Sequence, residues 1–300
     1  MKPFFSLSVL IIILTSGFSI ALAQGEDDII SVDSSIVVLN ASIVDRTGKA
    51  VPGLTLKQFR VFEDGVEQAI RTFETEETPF AAVILLDTSG SMESRVSLAR
   101  SAAIQFLQGL RADDHVAIYN FDSKVEMVQD FSNSRDLRDK FFDLKARGMT
   151  VLNDAVYKAA EILVVRPEKR KAIVVLSDGA DTMSGRSADK ALQSALAAGI
   201  TVYTIDMSGI ATGGQARMQN QGVLKNFAEK SGGRFIATPG GVAMRDAFRQ
   251  IVEELGMQYT VAYEPSNTKK DGKWRDIELR VSRPNLTIRT RKGYKVSKGK

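Results

Sequence analysis

The stretch Asp87-Thr88-Ser89-Gly90-Ser91 sets one carboxylate and two hydroxyls two positions apart, on a segment that Gly90 lets turn tightly. It follows the continuous apolar run Ala81-Ala82-Val83-Ile84-Leu85-Leu86 and precedes helical spacing that starts at Val96. A strand end that faces a helix start is the ligand crevice of an open α/β sheet, and the helix adds oriented backbone donors. Asp87, Ser89 and Ser91 can therefore converge on one hard cation. A second carboxylate, Asp178, ends the run Val174-Val175-Leu176-Ser177 at the same edge, and Gly148-Met149-Thr150 forms a loop just before another helix. Donors that are all oxygen favour Mg²⁺, with Mn²⁺ or Ca²⁺ as alternatives, over Zn²⁺. The one histidine, His115, stands at a strand start without partners and reads as structural.

Other chemistries fit these residues less well. As a calcium loop of the EF-hand type, the stretch would need a bidentate Glu at its twelfth position, where Leu98 stands. Ser89 and Ser91 lack the Gly-x-Ser-x-Gly elbow of a serine hydrolase, and the chain has neither a Gly-x-x-x-x-Gly-Lys phosphate loop nor a His-Glu-x-x-His helix. A metal-assisted phosphatase using Asp87 and Asp178 would have one metal and no evident base, so no enzyme is expected. A purely structural role also exists: Ser89 and Ser91 as helix caps, Asp87 and Asp178 as turn formers.

The elements that must position these residues alternate from Phe80 onward. Strand-like runs at 81–86, 116–119, 125–128, 172–176 and 200–205 are separated by helical spacing around 96–110, 156–163 and 188–195, and two more helices follow near 224–228 and 247–255. This predicts an α/β unit over 80–255, a doubly wound, mostly parallel, Rossmann-like sheet with helices on both faces. Gly209 to Gly222, rich in Gly, Gln and Asn, reads as a loop at the sheet's edge.

The flanks are β-patterned. Residues 24–79 hold the segments 36–44 and 59–66, the latter a hairpin turning at Asp64-Gly65. Residues 256–300 hold 259–263, 274–281 and 286–289, with Pro265 to Gly272 expected to close a hairpin between the first two. Neither flank is long enough to bury a core comfortably alone. They are expected to pair, 256–300 with 30–79, into one β-sandwich into which the α/β unit is inserted; two independent β appendages are the alternative. Tyr259 and Trp274 are expected to pack that sandwich.

The chain opens with Lys2, an apolar stretch from Phe4 to Leu14 and the small-residue exit Ala21-Leu22-Ala23, the parts of a secretory signal peptide over 1–23. An uncleaved anchor is the alternative reading. No later stretch approaches the roughly twenty apolar residues of a membrane span, so no stable span is expected after cleavage, and the address is periplasm or outside. With no cysteine, stability there must come from packed cores. Loss of Lys2 lowers the formal charge from +4 to +3, too little to argue for nucleic acid. The basic loop Lys269-Lys270-Asp271-Gly272-Lys273 and the tail from Arg289 read as solvated surface.

Together, Asp87, Ser89, Ser91, Thr150 and Asp178 resemble the metal-ion-dependent adhesion site of the von Willebrand factor type A family. Its Asp-x-Ser-x-Ser motif, loop threonine and later aspartate recur here in order, over roughly Phe80 to Leu255. Met149 departs from the pattern, since many relatives carry a second glycine there. The flanks also resemble a bacterial exported subgroup, through Val51-Pro52-Gly53-Leu54-Thr55, Phe62-Glu63-Asp64-Gly65 and Gly293-Tyr294. The resemblance implies a Mg²⁺-dependent protein-binding module. In the family the serines and threonine commonly touch the ion, the aspartates often act through water, and an Asp or Glu of a protein partner completes the shell. A scaffold whose metal only stabilises the fold is the alternative.

Overall fold

The computed structural model describes residues 36–75, 78–208, 214–237 and 241–298, the last without the side chains of 241–243. The expected signal peptide lies outside the described residues.

The apolar run before Asp87 forms β5 (Phe80–Asp87), every residue of which is buried. It lies in a six-stranded sheet with β6 (His115–Phe121), β7 (Val125–Ser132), β8 (Arg170–Ser177), β9 (Ile200–Asp206) and β10 (Phe235–Ala237), in the order β10-β9-β8-β5-β6-β7. All pairings are parallel except β6 with β7, which puts an antiparallel strand at one edge. The run is apolar throughout because both faces of the sheet are covered. Phe80, Ala82, Ile84 and Leu86 face a core that includes α1 (Val96–Gln108), the short α2 (Asp139–Phe142) and α6 (Gly241–Gly256). Ala81, Val83 and Leu85 face α3 (Leu152–Val164), α4 (Ala188–Ala197) and α5 (Gln215–Ser231).

Both flanks contribute strands to two further sheets. One has the order β13-β1-β11-β4, from β1 (Val37–Val44), β4 (Ile70–Glu74), β11 (Tyr259–Tyr263) and β13 (Thr287–Arg289). The other runs β14-β12-β2-β3, from β2 (Phe59–Glu63), β3 (Val66–Gln68), β12 (Trp274–Val281) and β14 (Gly293–Lys295). One buried cluster lies between them, with Leu39, Ala41, Val261 and Tyr263 from the first sheet and Phe59, Val61, Ile277 and Leu279 from the second. The Phe59 ring sits 5.3 Å from that of Tyr259 across the gap. Asp64 (φ 48°) and Gly65 (φ 80°) make the two-residue turn that pairs Glu63 with Val66.

Three expectations fail here. Pro265 to Gly272 closes no hairpin, because β11 pairs with β1 and β4 while β12 pairs with β2 and β14. The connection crosses from one sheet to the other. β11 is central and buried along its whole length, whereas β12 alternates with one face to solvent. The loop expected through Gly222 is helical from Gln215, since only Leu224, Phe227, Ala228 and Ser231 of α5 are buried and its first turns show no apolar period. Trp274 packs mainly against the α3–α5 core rather than inside the sandwich, while Tyr259 does lie in the sandwich core.

The seam between sandwich and α/β unit is a buried ionic network. Arg170, fully buried at the start of β8, donates to the carbonyls of Leu255 (3.4 Å), Gly256 (2.9 Å) and Gln258, at the end of α6. Guanidinium charge at a helix C-terminus meets the negative end of the helix dipole. One turn earlier, the buried Glu254 accepts from Arg289 of β13 (2.7 and 3.3 Å) and from the Tyr203 hydroxyl (3.2 Å).

Candidate metal centre

Asp87 is the last residue of β5, with no exposed surface. Its Oδ1 accepts from the Ser89 amide (2.9 Å) and the Ser89 hydroxyl (2.6 Å), and its Oδ2 from the Ser177 hydroxyl (2.6 Å). The Ser89 and Ser91 hydroxyl oxygens are 3.1 Å apart. The chain then makes a single tight turn at Gly90–Met92 before α1. Ser89 leads that turn in extended conformation but caps nothing with its side chain, and Arg95, not a serine, precedes α1. The Ser89 hydroxyl is thus turned to the carboxylate and the Ser91 hydroxyl to Ser89, instead of to helix amides, contrary to the capping alternative.

Thr150 reaches this group through backbone clips. The Gly90 amide donates to the Gly148 carbonyl (3.2 Å) and the Arg147 amide to that of Thr88 (2.8 Å). Gly148 has φ +74°, and a Cβ there would stand 2.6 Å from the Ser123 hydroxyl, so glycine alone lets the two loops meet. The buried Thr150 is held from its other side, its amide donating to the Thr182 hydroxyl (2.9 Å) and its carbonyl accepting from the amides of Thr182 and Met183. Asp178 follows β8 directly, and its Oδ1 accepts from the Ala180 amide (3.0 Å). Gly179 (φ +82°) lets the chain pass under α5, where a Cβ would fall 2.5 Å from the Asn220 carbonyl.

The structure therefore brings Asp87, Ser89 and Ser91 into one hydrogen-bonded cluster and sets Thr150 and Asp178 on the loops beside it. Ser177 belongs with them and escaped the sequence reading. Its signal was its place next to Asp178 on the strand that pairs with β5, which makes Leu86 and Leu176 partners. Asp181 also has a supporting role: its carboxylate accepts from the Asn153 amide (2.7 Å) and the Ser184 hydroxyl (2.6 Å), tying the loop after Asp178 to the start of α3. On the neighbouring β9, Asp206 repeats the Asp87 arrangement, accepting from the Ser208 amide and hydroxyl, but its second oxygen takes the Gln221 amide (2.6 Å).

Burial pushes the Asp87 carboxyl up to about 6, against the pull of the Ser177 and Ser89 hydrogen bonds and with a further push from the Asp178 charge. Every direct partner of this carboxylate is a neutral dipole. No cluster of three or more His, Cys, Asp or Glu side chains occurs among the described residues, so any cation here relies on two carboxylates and hydroxyls. That donor set suits a hard, oxygen-seeking ion. His115 takes no part; it sits at the other end of its strand, where its Nδ1 makes no hydrogen bond but lies 3.2 Å from Glu168, an ion pair only when the ring is protonated.

Comparison with known proteins follows the same outline. The family model for the von Willebrand factor type A domain matches residues 82–250, more than half of the chain. Among solved structures, a von Willebrand factor type A protein from Catenulispora acidiphila is 14% identical, with a TM-score of 0.50 over 89% of this chain and 75% of its own. Three N-terminal domains of the type V pili tip protein Mfa5 from Porphyromonas gingivalis are 12% identical, at 0.50 over 87% of this chain and 66% of theirs. The PilB minor pilin from Streptococcus sanguinis is 16% identical, at 0.46 over 60% of this chain, which spans 62% of that structure. At these identities the likeness is one of fold. A search of curated proteins finds no match.

Proposed function

Since the chain belongs to the von Willebrand factor type A domain family, we propose that it is an exported, non-enzymatic binding module whose 80–255 unit takes a divalent cation, Mg²⁺ by preference, at Asp87, Ser89, Ser91, Thr150 and Asp178. The sandwich built from strands between Val37 and Glu74 and between Tyr259 and Lys295 carries that unit. A cation held there supplies an electrophilic centre that takes an oxygen ligand from outside, so the partner is a protein that presents Asp or Glu.

One observation carries this reading: a carboxylate with no exposed surface, Asp87, is bonded only to hydroxyls and an amide. Burying a charge without a counter-charge is costly. An ion supplies the missing charge. The Ser89 and Ser91 hydroxyl oxygens lie 3.1 Å apart beside this carboxylate, and the Gly148 clip ties the loop that carries Thr150 to Gly90. No histidine, cysteine or lysine is bonded to these hydroxyls among the described residues, so the usual bases of a serine nucleophile are not beside them, and the carboxylate that Ser89 meets is assigned here to the ion. Among the described residues no helix is long and apolar enough to cross a membrane; export rests on the leader-like residues 1–23, cleaved or kept as an anchor.

Thermal unfolding with EDTA, Mg²⁺, Mn²⁺ and Ca²⁺ tests the site, beside an Asp87→Ala, Ser89→Ala variant. A midpoint raised by the ions in the parent and not in the variant supports it. If neither protein responds to any ion, the adhesion-type mechanism fails together with a metal-stabilised scaffold, and a metal-free scaffold is what is left.

A further inference from the structure

We propose that a lysine cluster around Trp274, on the opposite edge of the six-stranded sheet from Asp87, docks the protein on an anionic lipid surface. The proposal does not depend on the metal centre.

Several contacts assemble this corner. Trp274 of β12 pairs with Lys295 of β14, an edge strand. Lys230, near the end of α5, lies over the Trp274 ring, its Nζ 5.9 Å from the centroid, and its carbonyl accepts from the Lys292 amide (3.0 Å). The Lys273 carbonyl accepts from the Val296 amide (2.9 Å), and the backbone of Lys298 forms an isolated β-bridge with that of Asp271, the Lys298 side chain filling the space a Cβ at Gly272 would need. Lys230, Lys273, Lys292, Lys295 and Lys298 are all exposed and thus share one surface. Helix α5 leaves the Asp87 edge and returns the chain to β10, parallel to β9, so its end lies at the far edge.

Clustering of unpaired charge marks this corner. Elsewhere some exposed cations have mates within salt-bridge distance, such as Arg60 with Glu67, Lys124 with Glu126, Lys158 with Glu161 and Lys169 with Glu74, and exposed lysines without one, such as Lys49, Lys57 and Lys145, lie far apart in the chain. None of the five lysines has one among the described residues. The carboxylates nearby are occupied: Asp271 accepts from Arg275 (3.1 Å), and Asp276 from the Trp274 indole (2.7 Å). On the opposite edge strand, β3, Glu67 is neutralised by Arg60 of the neighbouring β2, so edge protection in this sheet does not require unpaired lysines.

The side-chain chemistry selects the partner. Lysines act as point charges on flexible stems, whereas arginine forks suit shaped, bidentate ligands. Five of them on one corner fit a diffuse negative sheet. A half-buried Trp at their centre suits the headgroup layer, where indole rings concentrate. An acidic glycan or a nucleic acid is the competing occupant. With this corner on lipid, the Asp87 edge points away from the surface, free for a partner.

The test is co-sedimentation of the chain from Gln24 onward, which keeps every described residue, with phosphatidylcholine vesicles with and without phosphatidylglycerol. Lys273→Glu, Lys295→Glu, Lys298→Glu is compared with a control of equal charge change, Lys57→Glu, Lys145→Glu, Lys158→Glu, all checked for an unchanged unfolding midpoint. The expected result is binding only to the anionic vesicles, lost on going from about 0.1 M to about 1 M salt. Roughly tenfold or greater weakening is expected in the corner variant, with each lysine worth about fivefold, and much less in the control. Equal weakening in both variants, or no preference for anionic vesicles, overturns the proposal and leaves a solvated edge. Binding of heparin or DNA without vesicle binding overturns it in favour of a soluble polyanion.

Discussion

The two edges of the six-stranded sheet treat a buried carboxylate in opposite ways. At the sandwich seam Glu254 meets a counter-charge, Arg289, while Arg170 spreads its own charge over the carbonyls at the negative end of the α6 dipole. At the other edge Asp87 is as deeply buried yet meets only dipoles, and its carboxyl rises to about 6. One edge neutralises itself and holds the architecture. The other stays electrostatically incomplete, which is the condition under which an outside ion stabilises a site instead of crowding it.

Substitutions at the two edges should therefore differ in sign. The largest effect belongs to Arg170→Met, which leaves several buried carbonyls without their donor and should lower the unfolding free energy by about 3–5 kcal/mol, read from the urea midpoint. An unchanged midpoint would break the comparison on the seam side. At the other edge, Asp87→Asn in EDTA at pH 7.5 should raise stability, by up to about 3 kcal/mol, while abolishing any response to Mg²⁺.

The pH dependence of that difference follows from Asp87. Its carboxyl is raised from the ordinary 3.8 to about 6, so the folded state holds the proton more tightly than the unfolded one. The penalty is full above about pH 6, shrinks as pH falls, and is gone below about 3.8. The metal-free gap between the Asn variant and the parent should accordingly close between pH 7.5 and 4. A gap independent of pH would assign the gain to something other than the charge.

Glu254→Gln comes next, with about 2 kcal/mol lost as the charge-assisted bonds from Arg289 become neutral ones. Smallest is Arg60→Ala on the sandwich surface, where both partners of the Glu67 pair are more than half exposed. Less than about 1 kcal/mol is expected there, seen as a midpoint barely moved.

Much of this was legible in the chain. The run before Asp87 announced a strand covered on both faces, and the α/β unit and its antiparallel flanks follow the apolar periods. Asp64-Gly65 announced its turn, because two positive φ angles are a local requirement. The polar start of α5 was not legible, since a helix exposed on most sides carries no apolar stripe. The supposed hairpin at Pro265 to Gly272 failed because both neighbours look alike as strands, and the choice of sheet depends on partners some 200 residues earlier in the chain, as in Tyr259 beside Ala41.

By itself the sequence determined the order of strands and helices and the cluster of Asp87, Ser89 and Ser91, all consequences of contacts within a few residues. Tertiary structure alone decided that Ser177 bonds Asp87 across 90 positions, that the Gly148 loop clips onto Gly90, and that Arg170 seals the end of α6. It also set the raised Asp87 carboxyl, since burial and the field of Asp178 exist only once β5 and β8 lie side by side. Residue type fixes what a side chain can donate or accept, whereas its desolvation and its charged neighbours come from chain segments that meet only on folding.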